Sequence, residues 1–267
     1  MKPTTSTIPR DGLHVARPAA DGAAPESRLG RAYRKVYSGL CGVHPRLRPW
    51  HYQWLSARLL TGTFRDLLPT LSGRVLDVGC GEKPYRDLFA AASEYVGLDV
   101  VAAPGVDIVV QPGETWPLPD RHFDVLISNQ VLEHVADLDF TVSEIKRVVK
   151  DGGVIVVSVP FIYNEHGSPN DFQRFTVFRA RQLFDEFEVL HLEKQGGIGS
   201  TVTILVLNWV DLALGATKPG RFLKAPLLPI WLLFTLLMNI GALAANAIDP
   251  TQLFYSNVDV VLRKTAS

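Results

Sequence analysis

The stretch VLDVGCGEKPYRDLF (residues 75–89) ends an apolar run in an acid, Asp77, and follows it with Gly79 and Gly81, one residue apart. A strand that ends in an acid and turns through Gly-x-Gly into a helix brings backbone close to a ligand at the carboxyl edge of a parallel sheet. Pro84 suits the first position of that helix, where its missing N–H would be unpaired anyway. Asp99 closes the next apolar run, 22 residues after Asp77, where a carboxylate can accept two hydrogen bonds from a ribose diol. These features fit a nicotinamide dinucleotide and an adenosyl cofactor alike. Lys83 tips the balance, because it stands where a dinucleotide binder wants a third glycine beside the pyrophosphate. A cofactor without phosphates explains it better, and S-adenosylmethionine is one. Its ammonium is matched by Asp77 with the loop carbonyls, and its carboxylate by backbone N–H groups. Cys80 sits between the glycines and is counted with them in the cofactor loop, its thiol a small packing group and not a nucleophile.

A second segment, PFIYNEHGSPNDFQRFT (160–176), concentrates Tyr163, Glu165, His166, Asp171 and Arg174 among Pro, Gly and Asn. Ordinary loops are polar, but seldom this dense in ionisable and aromatic groups. It is the candidate acceptor side. An imidazole titrates near neutral pH, which makes His166 the preferred general base. Asp171 either orients it or acts as base itself, and Arg174 suits a phosphate or carboxylate on the acceptor. Thr176 caps the following helix, and Asn170 or Asp171 can serve backbone alone. Glu133 and His134, in VLEHV, resemble an acid/base pair but are read as holding the loop and helix beneath the cofactor. Cys41 and Cys80 have no metal-ligand spacing, so no metal, zinc included, is expected.

The elements that must position these residues alternate. Short apolar runs RVLDVG (74–79), YVGLDV (95–100), FDVLISN (123–129) and GVIVVSVP (153–160) are separated by helix-like stretches such as VSEIKRVVK, which argues an α/β fold with a parallel sheet wrapped by helices. A helix is expected over VFRARQLFDEF (177–187), then strands at EVLHLEKQ and SNVDVVLRK (256–264). Ahead of the sheet, RAYRKVYSGL and WHYQWLSARLLTGTFRDLL carry apolar residues three and four apart, as amphipathic helices do. The chain therefore divides into a Pro/Ala/Thr/Gly-rich tail (1–27), basic helices (28–71), a core (72–200), an apolar helical insertion (201–250) and the last strand (251–267).

Within the insertion, ILVLNWVDLALG (204–215) and APLLPIWLLFTLLMNIGALAANAI (225–248) are almost wholly apolar, and the second has 24 residues without a charge. A single crossing would strand SNVDVVLRK on the far side of a bilayer from the sheet it completes. A hairpin lying in the membrane interface is preferred over a two-span hairpin or burial against protein. The formal net charge is zero, but residues 1–65 hold eleven Lys and Arg against three Asp and Glu, a net of +8. That front end suits an anionic membrane surface or a nucleic acid, and a solvated pair of helices is the competing reading. Without a recognisable nucleic-acid module, nucleic acid is not an expected partner. No charged start precedes an apolar h-region, so the domain is expected in the cytoplasm, at the membrane's inner face. The oligomeric state stays open.

In order, DVGCGEKPYRDLF, YVGLDV, LPDRHFDVLISNQVLEHV, KDGGVIVVSVPF and HGSPNDFQRFT resemble the class I S-adenosylmethionine-dependent methyltransferases of the type 11 kind. More narrowly, they resemble a bacterial subgroup associated with polysaccharide biosynthesis. The resemblance implies a Rossmann-like, seven-stranded, mostly parallel sheet whose last strand enters antiparallel between the fifth and sixth. It implies that Asp77, Gly79 and Gly81 cradle the methionine part, Asp99 the ribose, and Asn129 the sulfonium side. Many relatives place an acid after the third strand for adenine; here Pro112 stands in that register, which leaves adenine to backbone at Gly113 and Glu114 or to Trp116. The implied activity is methyl transfer, the expected acceptor a hydroxyl of a lipid-linked saccharide or glycolipid. A soluble small molecule, or an inactive membrane-bound assembly role, is the competing reading.

Overall fold

A computed structural model describes residues 28–44 and 46–266, so the expected N-terminal tail lies outside the described residues. Helix α1 (Arg28–Cys41), a short hairpin β1 (Gly42–Val43) and β2 (Arg46–Leu47), and helix α2 (Trp54–Leu67) precede the sheet. The sheet strands are β3 (Ser72–Val78), β4 (Ala91–Asp99), β5 (Ile108–Val109), β6 (Phe123–Asn129), β7 (Val149–Pro160), β8 (Glu188–Gln195) and β9 (Asn257–Arg263). Between them lie helices α3 (Leu138–Val148) and α4 (Val177–Gln182), and the insertion α5 (Ile198–Ala216), α6 (Lys218–Lys224) and α7 (Leu228–Ala247).

Among the described residues, one seven-stranded sheet runs β5-β4-β3-β6-β7-β9-β8. The first five strands are parallel, and β9 is antiparallel to both β7 and β8, which is the slot expected of the last strand. Central strands read as continuous apolar runs because helices cover both faces. On one face Leu76, Leu126 and Ile155 pack with Ile145 of α3 and Phe184; on the other Val75, Ile127 and Val156 pack with Phe64 of α2. Val78 is level with Leu98 and Ser128, and Asn129 with Ser158, so the carboxyl ends of β3, β4, β6 and β7 open onto one edge.

Two helical expectations are corrected. No α-helix follows the Gly-x-Gly turn: Lys83 turns the chain at φ +54°, only a 3₁₀ turn forms at Arg86–Leu88, and β4 begins at Ala91. A positive φ is costly for a residue with a Cβ and cannot sit in the first turn of an α-helix. The helix expected over 177–187 ends at Gln182, where Leu183 N–H bonds the Arg179 carbonyl and the chain turns to bury Phe184 and Phe187.

The insertion forms a hairpin of α5 and α7, each long and apolar enough by length and composition to cross a membrane, with mean hydropathy 1.5 and 1.9. Gly199 permits the crossing, since a Cβ there would lie 2.3 Å from the Ala242 carbonyl oxygen. Asn246 fastens the same contact by accepting from Ser200 N–H at 2.9 Å. The other side of α7 is tied to the N-terminal segment: Thr235 Oγ1 donates to Trp50 O, and Asn239 Nδ2 to Pro49 O at 2.7 Å and His51 O at 3.2 Å.

Candidate active site

The cofactor loop leaves β3 with Asp77 3% exposed. Tyr95 Oη donates to Asp77 Oδ2 at 2.6 Å, and burial pushes the Asp77 carboxyl up to about 7, against the lowering pull of Tyr95 and of Lys83. Gly79 and Gly81 have φ of +69° and +50°. A Cβ on Gly79 would lie 2.3 Å from Val131, so this glycine lets the loop close on the turn after β6; the space beside Gly81 is open. Asp99 faces back across the edge, Oδ2 accepting from Gly81 N–H at 3.0 Å and Oδ1 from Val101 N–H at 3.1 Å. Each oxygen keeps a lone pair for a diol.

Lys83 closes the loop differently from a third glycine. Its ammonium, on a side chain 10% exposed, pairs with Asp107, whose Oδ2 also accepts from Gly97 N–H at 2.7 Å. Cys80 contributes backbone, because its thiol is buried against Gly97 and 3.9 Å from Gly105 O, and burial holds its pKa up at about 12. Asn129 donates to the Tyr85 hydroxyl, and its Oδ1 is buried without a hydrogen-bond partner among the described residues. Trp116 is packed in the core at 6% exposure, so it is corrected as an adenine contact; Pro112, Gly113 and Glu114 are exposed. An orphaned amide oxygen, open space at Gly81 and two carboxylates at one sheet edge fit an adenosyl amino acid, with Asp77, the loop N–H groups, Asp99 and Asn129 as the residues that would hold it.

The segment after β7 folds beside this edge. Arg174 commits all its N–H groups inside the loop: two donate to Asp171 at 2.5 and 2.6 Å, and the rest reach the carbonyls of Gln173 at 2.8 Å, Asn164 at 3.0 Å and Tyr163 at 3.4 Å. That guanidinium holds the Asp171 carboxyl down at about 2, and Asp171 Oδ2 accepts the His166 backbone N–H at 2.8 Å. In this geometry Arg174 spends its donors on the loop and Asp171 is paired with Arg174 and the His166 backbone, an arrangement in which both hold the loop that carries His166. His166 is half-buried, with Nε2 3.6 Å from Glu133 Oε1, and that carboxylate raises its pKa.

Sequence reasoning read Glu133 and His134 as supports and missed that they meet His166. Glu133 is wholly buried, and neither carboxylate oxygen has a hydrogen-bond partner among the described residues. His134 Nε2 lies 3.8 Å from Glu133 Oε1, and Asn208 of α5 reaches the same loop, donating to Asn164 Oδ1 at 2.8 Å.

The sheet order and the loop at its edge define the S-adenosylmethionine-dependent methyltransferase fold. Residues 76–157 match the methyltransferase domain family of type 11, and the cofactor of this domain is S-adenosylmethionine. A probable S-adenosylmethionine-dependent methyltransferase of Mycolicibacterium smegmatis is 34% identical over 174 residues, 61% of this chain and 66% of the relative. A malonyl-[acyl-carrier protein] O-methyltransferase of Methylococcus capsulatus is 31% identical over 57% of each chain. A ubiquinone biosynthesis O-methyltransferase of Mesorhizobium japonicum is 32% identical over 32% of this chain and 40% of its own. The chain thus spans under two thirds of each of these relatives. Among solved structures, the [4+2]-cyclase SpnF superposes with a TM-score of 0.51 at 19% identity, covering 79% of this chain and 82% of its own, and shares the fold.

Proposed function

We propose that the protein transfers the methyl group of S-adenosylmethionine to an oxygen of an acceptor held at a membrane surface, and that this acceptor is a lipid-linked saccharide or glycolipid. The observation that carries the transfer is the meeting, at one sheet edge, of Asp77, Asp99 and Asn129 with the His166 loop. The cofactor supplies a methyl group already activated by the sulfonium charge. The protein's part is to hold the acceptor in line at about 3 to 3.5 Å, exclude water and take up the hydroxyl proton. His166 is the group for that proton, while Asp171 and Arg174 fix its loop.

The insertion supports the membrane part of the reading. Trp209, Leu212, Ile230, Leu233, Leu237 and Ile240 are each more than half exposed, with Lys218, Arg221 and Lys224 at the hairpin's turn. Thr235 and Asn239, midway along α7, are hydrogen-bonded to the segment at Pro49–His51, so a spanning hairpin would drag that polar segment into hydrocarbon. A hairpin lying in the interface of the cytoplasmic leaflet avoids this cost. The middle of α5 supports the active-site loop through Asn208.

Calorimetric titration with S-adenosylmethionine, then transfer of labelled methyl to membrane glycolipid extracts and to quinone and acyl-carrier precursors, tests the proposal. Labelling of the soluble precursors alone would move the acceptor to the small-molecule class named in two relatives. A folded protein that binds no cofactor would leave only the inactive, assembly reading.

A further inference from the structure

Glu133, His134 and His166 each turn one ligand atom into a common space, all three within 4.8 Å of one another. Glu133 and His134 come from the turn after β6, and His166 from the loop after β7, 32 residues on. The tautomers follow from the partners. His134 Nδ1 lies 2.6 Å from the carbonyl oxygen of Asn170, and His166 Nδ1 lies 3.3 Å from that of Asn164 and 3.6 Å from Asp171 Oδ2. These oxygens only accept, so each neutral ring carries its proton on Nδ1 and presents the Nε2 lone pair inward. Both lone pairs then face Glu133 Oε1, at 3.8 and 3.6 Å.

Three electron-pair donors meeting without a proton between them repel, and these distances exceed an N–H···O hydrogen bond in any case. The carboxylate they face is wholly buried and unbonded, a state that costs several kcal/mol unless a positive group occupies the gap. One protonated ring, at His166, would face Glu133 Oε1 at 3.6 Å but leave the His134 lone pair and the second carboxylate oxygen without a partner, and two imidazolium rings with centroids 4.7 Å apart would repel. A cation is a good remedy. Ligand atoms around a tetrahedral ion with bonds near 2.0 to 2.1 Å lie about 3.4 Å apart, so the two spacings to Glu133, 3.8 and 3.6 Å, need only a small inward movement. Histidines that give Nδ1–H to a carbonyl and Nε2 to the ion are the usual arrangement around a metal.

We infer that Glu133, His134 and His166 bind one divalent first-row transition ion, of the zinc or manganese class, which two nitrogens and one carboxylate suit better than magnesium or calcium. Glu133 closes the inner side of the site. The histidine side chains are 28% and 30% exposed, so the open coordination position faces out toward Tyr163 and the loop. This last point rests on the proposed function: an acceptor hydroxyl there would coordinate the ion and give its proton to water at the exposed side of the site, with His166 then a ligand and no longer the base.

The test uses the full-length protein, stripped with chelator, dialysed and titrated with zinc and manganese chloride by calorimetry. Cobalt, followed by its visible absorption bands, reads the coordination. One equivalent should bind, with affinity lowered at least about tenfold in Glu133→Gln and in His166→Ala, and unchanged in Asp99→Ala. Glu133→Gln is nearly isosteric, and a thermal melt of each variant shows that it is folded. No stoichiometric binding by folded wild type, which would leave a trapped water in the gap, overturns the inference; so does equal binding by both variants. Loss of cofactor binding without loss of metal would instead count against the methyl-transfer reading alone.

Discussion

The hydroxyl of Tyr95 donates a 2.6 Å hydrogen bond to Oδ2 of Asp77, a carboxyl whose burial pushes it up to about 7. A carboxyl raised in the folded state binds its proton more tightly folded than unfolded, so Asp77 lowers stability as pH rises from about 4 to about 7. A bound ammonium would favour the charged form and reverse this. Affinity for S-adenosylmethionine should therefore rise about tenfold between pH 6 and pH 8, as the ionised fraction grows through that pKa. Calorimetry in buffers of different ionisation enthalpy should show a proton released on binding near pH 6.5, and Asp77→Asn should be flat across the range. A wild type as flat as the variant would remove the ammonium from Asp77.

Asp99 links the two halves of the cofactor edge by accepting from Gly81 and Val101 N–H. Asp99→Ala should weaken cofactor binding by about 10- to 100-fold, the worth of one or two hydrogen bonds to a charged acceptor. Asp99→Asn, which can still accept at one oxygen, should lose less. If both variants bind as tightly as wild type, the ribose lies elsewhere.

The strands themselves were legible as short apolar runs, and the late antiparallel entry of β9 was what the resemblance carried by the ordered motifs implied. The path after the Gly-x-Gly turn was not. Pro84 signals a helix start, but Lys83 at positive φ, tied to Asp107 across the loop, overrides it, and that pairing spans 24 residues. The meeting of Glu133 with His166 was hidden for the same reason, since it depends on β6 and β7 being neighbours. Trp116 looked available because PGETWPLPD is polar on either side; its backbone N–H is in fact held by Glu144 at 2.7 Å and its ring faces the core.

Asp171 and Arg174 act as one unit, with five donors and a carboxylate consumed inside the loop. Arg174→Ala and Asp171→Asn should each lower turnover strongly while leaving cofactor affinity within about twofold, and the double variant should be scarcely worse than either single one. Arg174→Lys should recover little, since an ammonium cannot span both carboxylate oxygens. Additive losses would mean that one of the pair touches the acceptor.

The hairpin of α5 and α7 carries two opposed surfaces, and each can be tested alone. On the outer one, Trp209→Glu with Ile230→Lys should abolish cosedimentation with phosphatidylcholine–phosphatidylglycerol vesicles without shifting the melting temperature, because both side chains are more than half exposed. On the inner one, Asn239→Leu removes the donor that serves the Pro49 carbonyl at a part-buried contact and the His51 carbonyl at a buried one. It should cost about 1 to 3 kcal/mol, the penalty for leaving buried acceptors unpaired, and leave vesicle binding intact. Salt should weaken vesicle binding of the wild type, since Lys218, Arg221 and Lys224 lie at the turn and α1 adds further cations. Full cosedimentation of the doubly charged variant would instead mean that the exposed apolar face does not carry vesicle binding, and binding by the basic groups alone would then be abolished by salt.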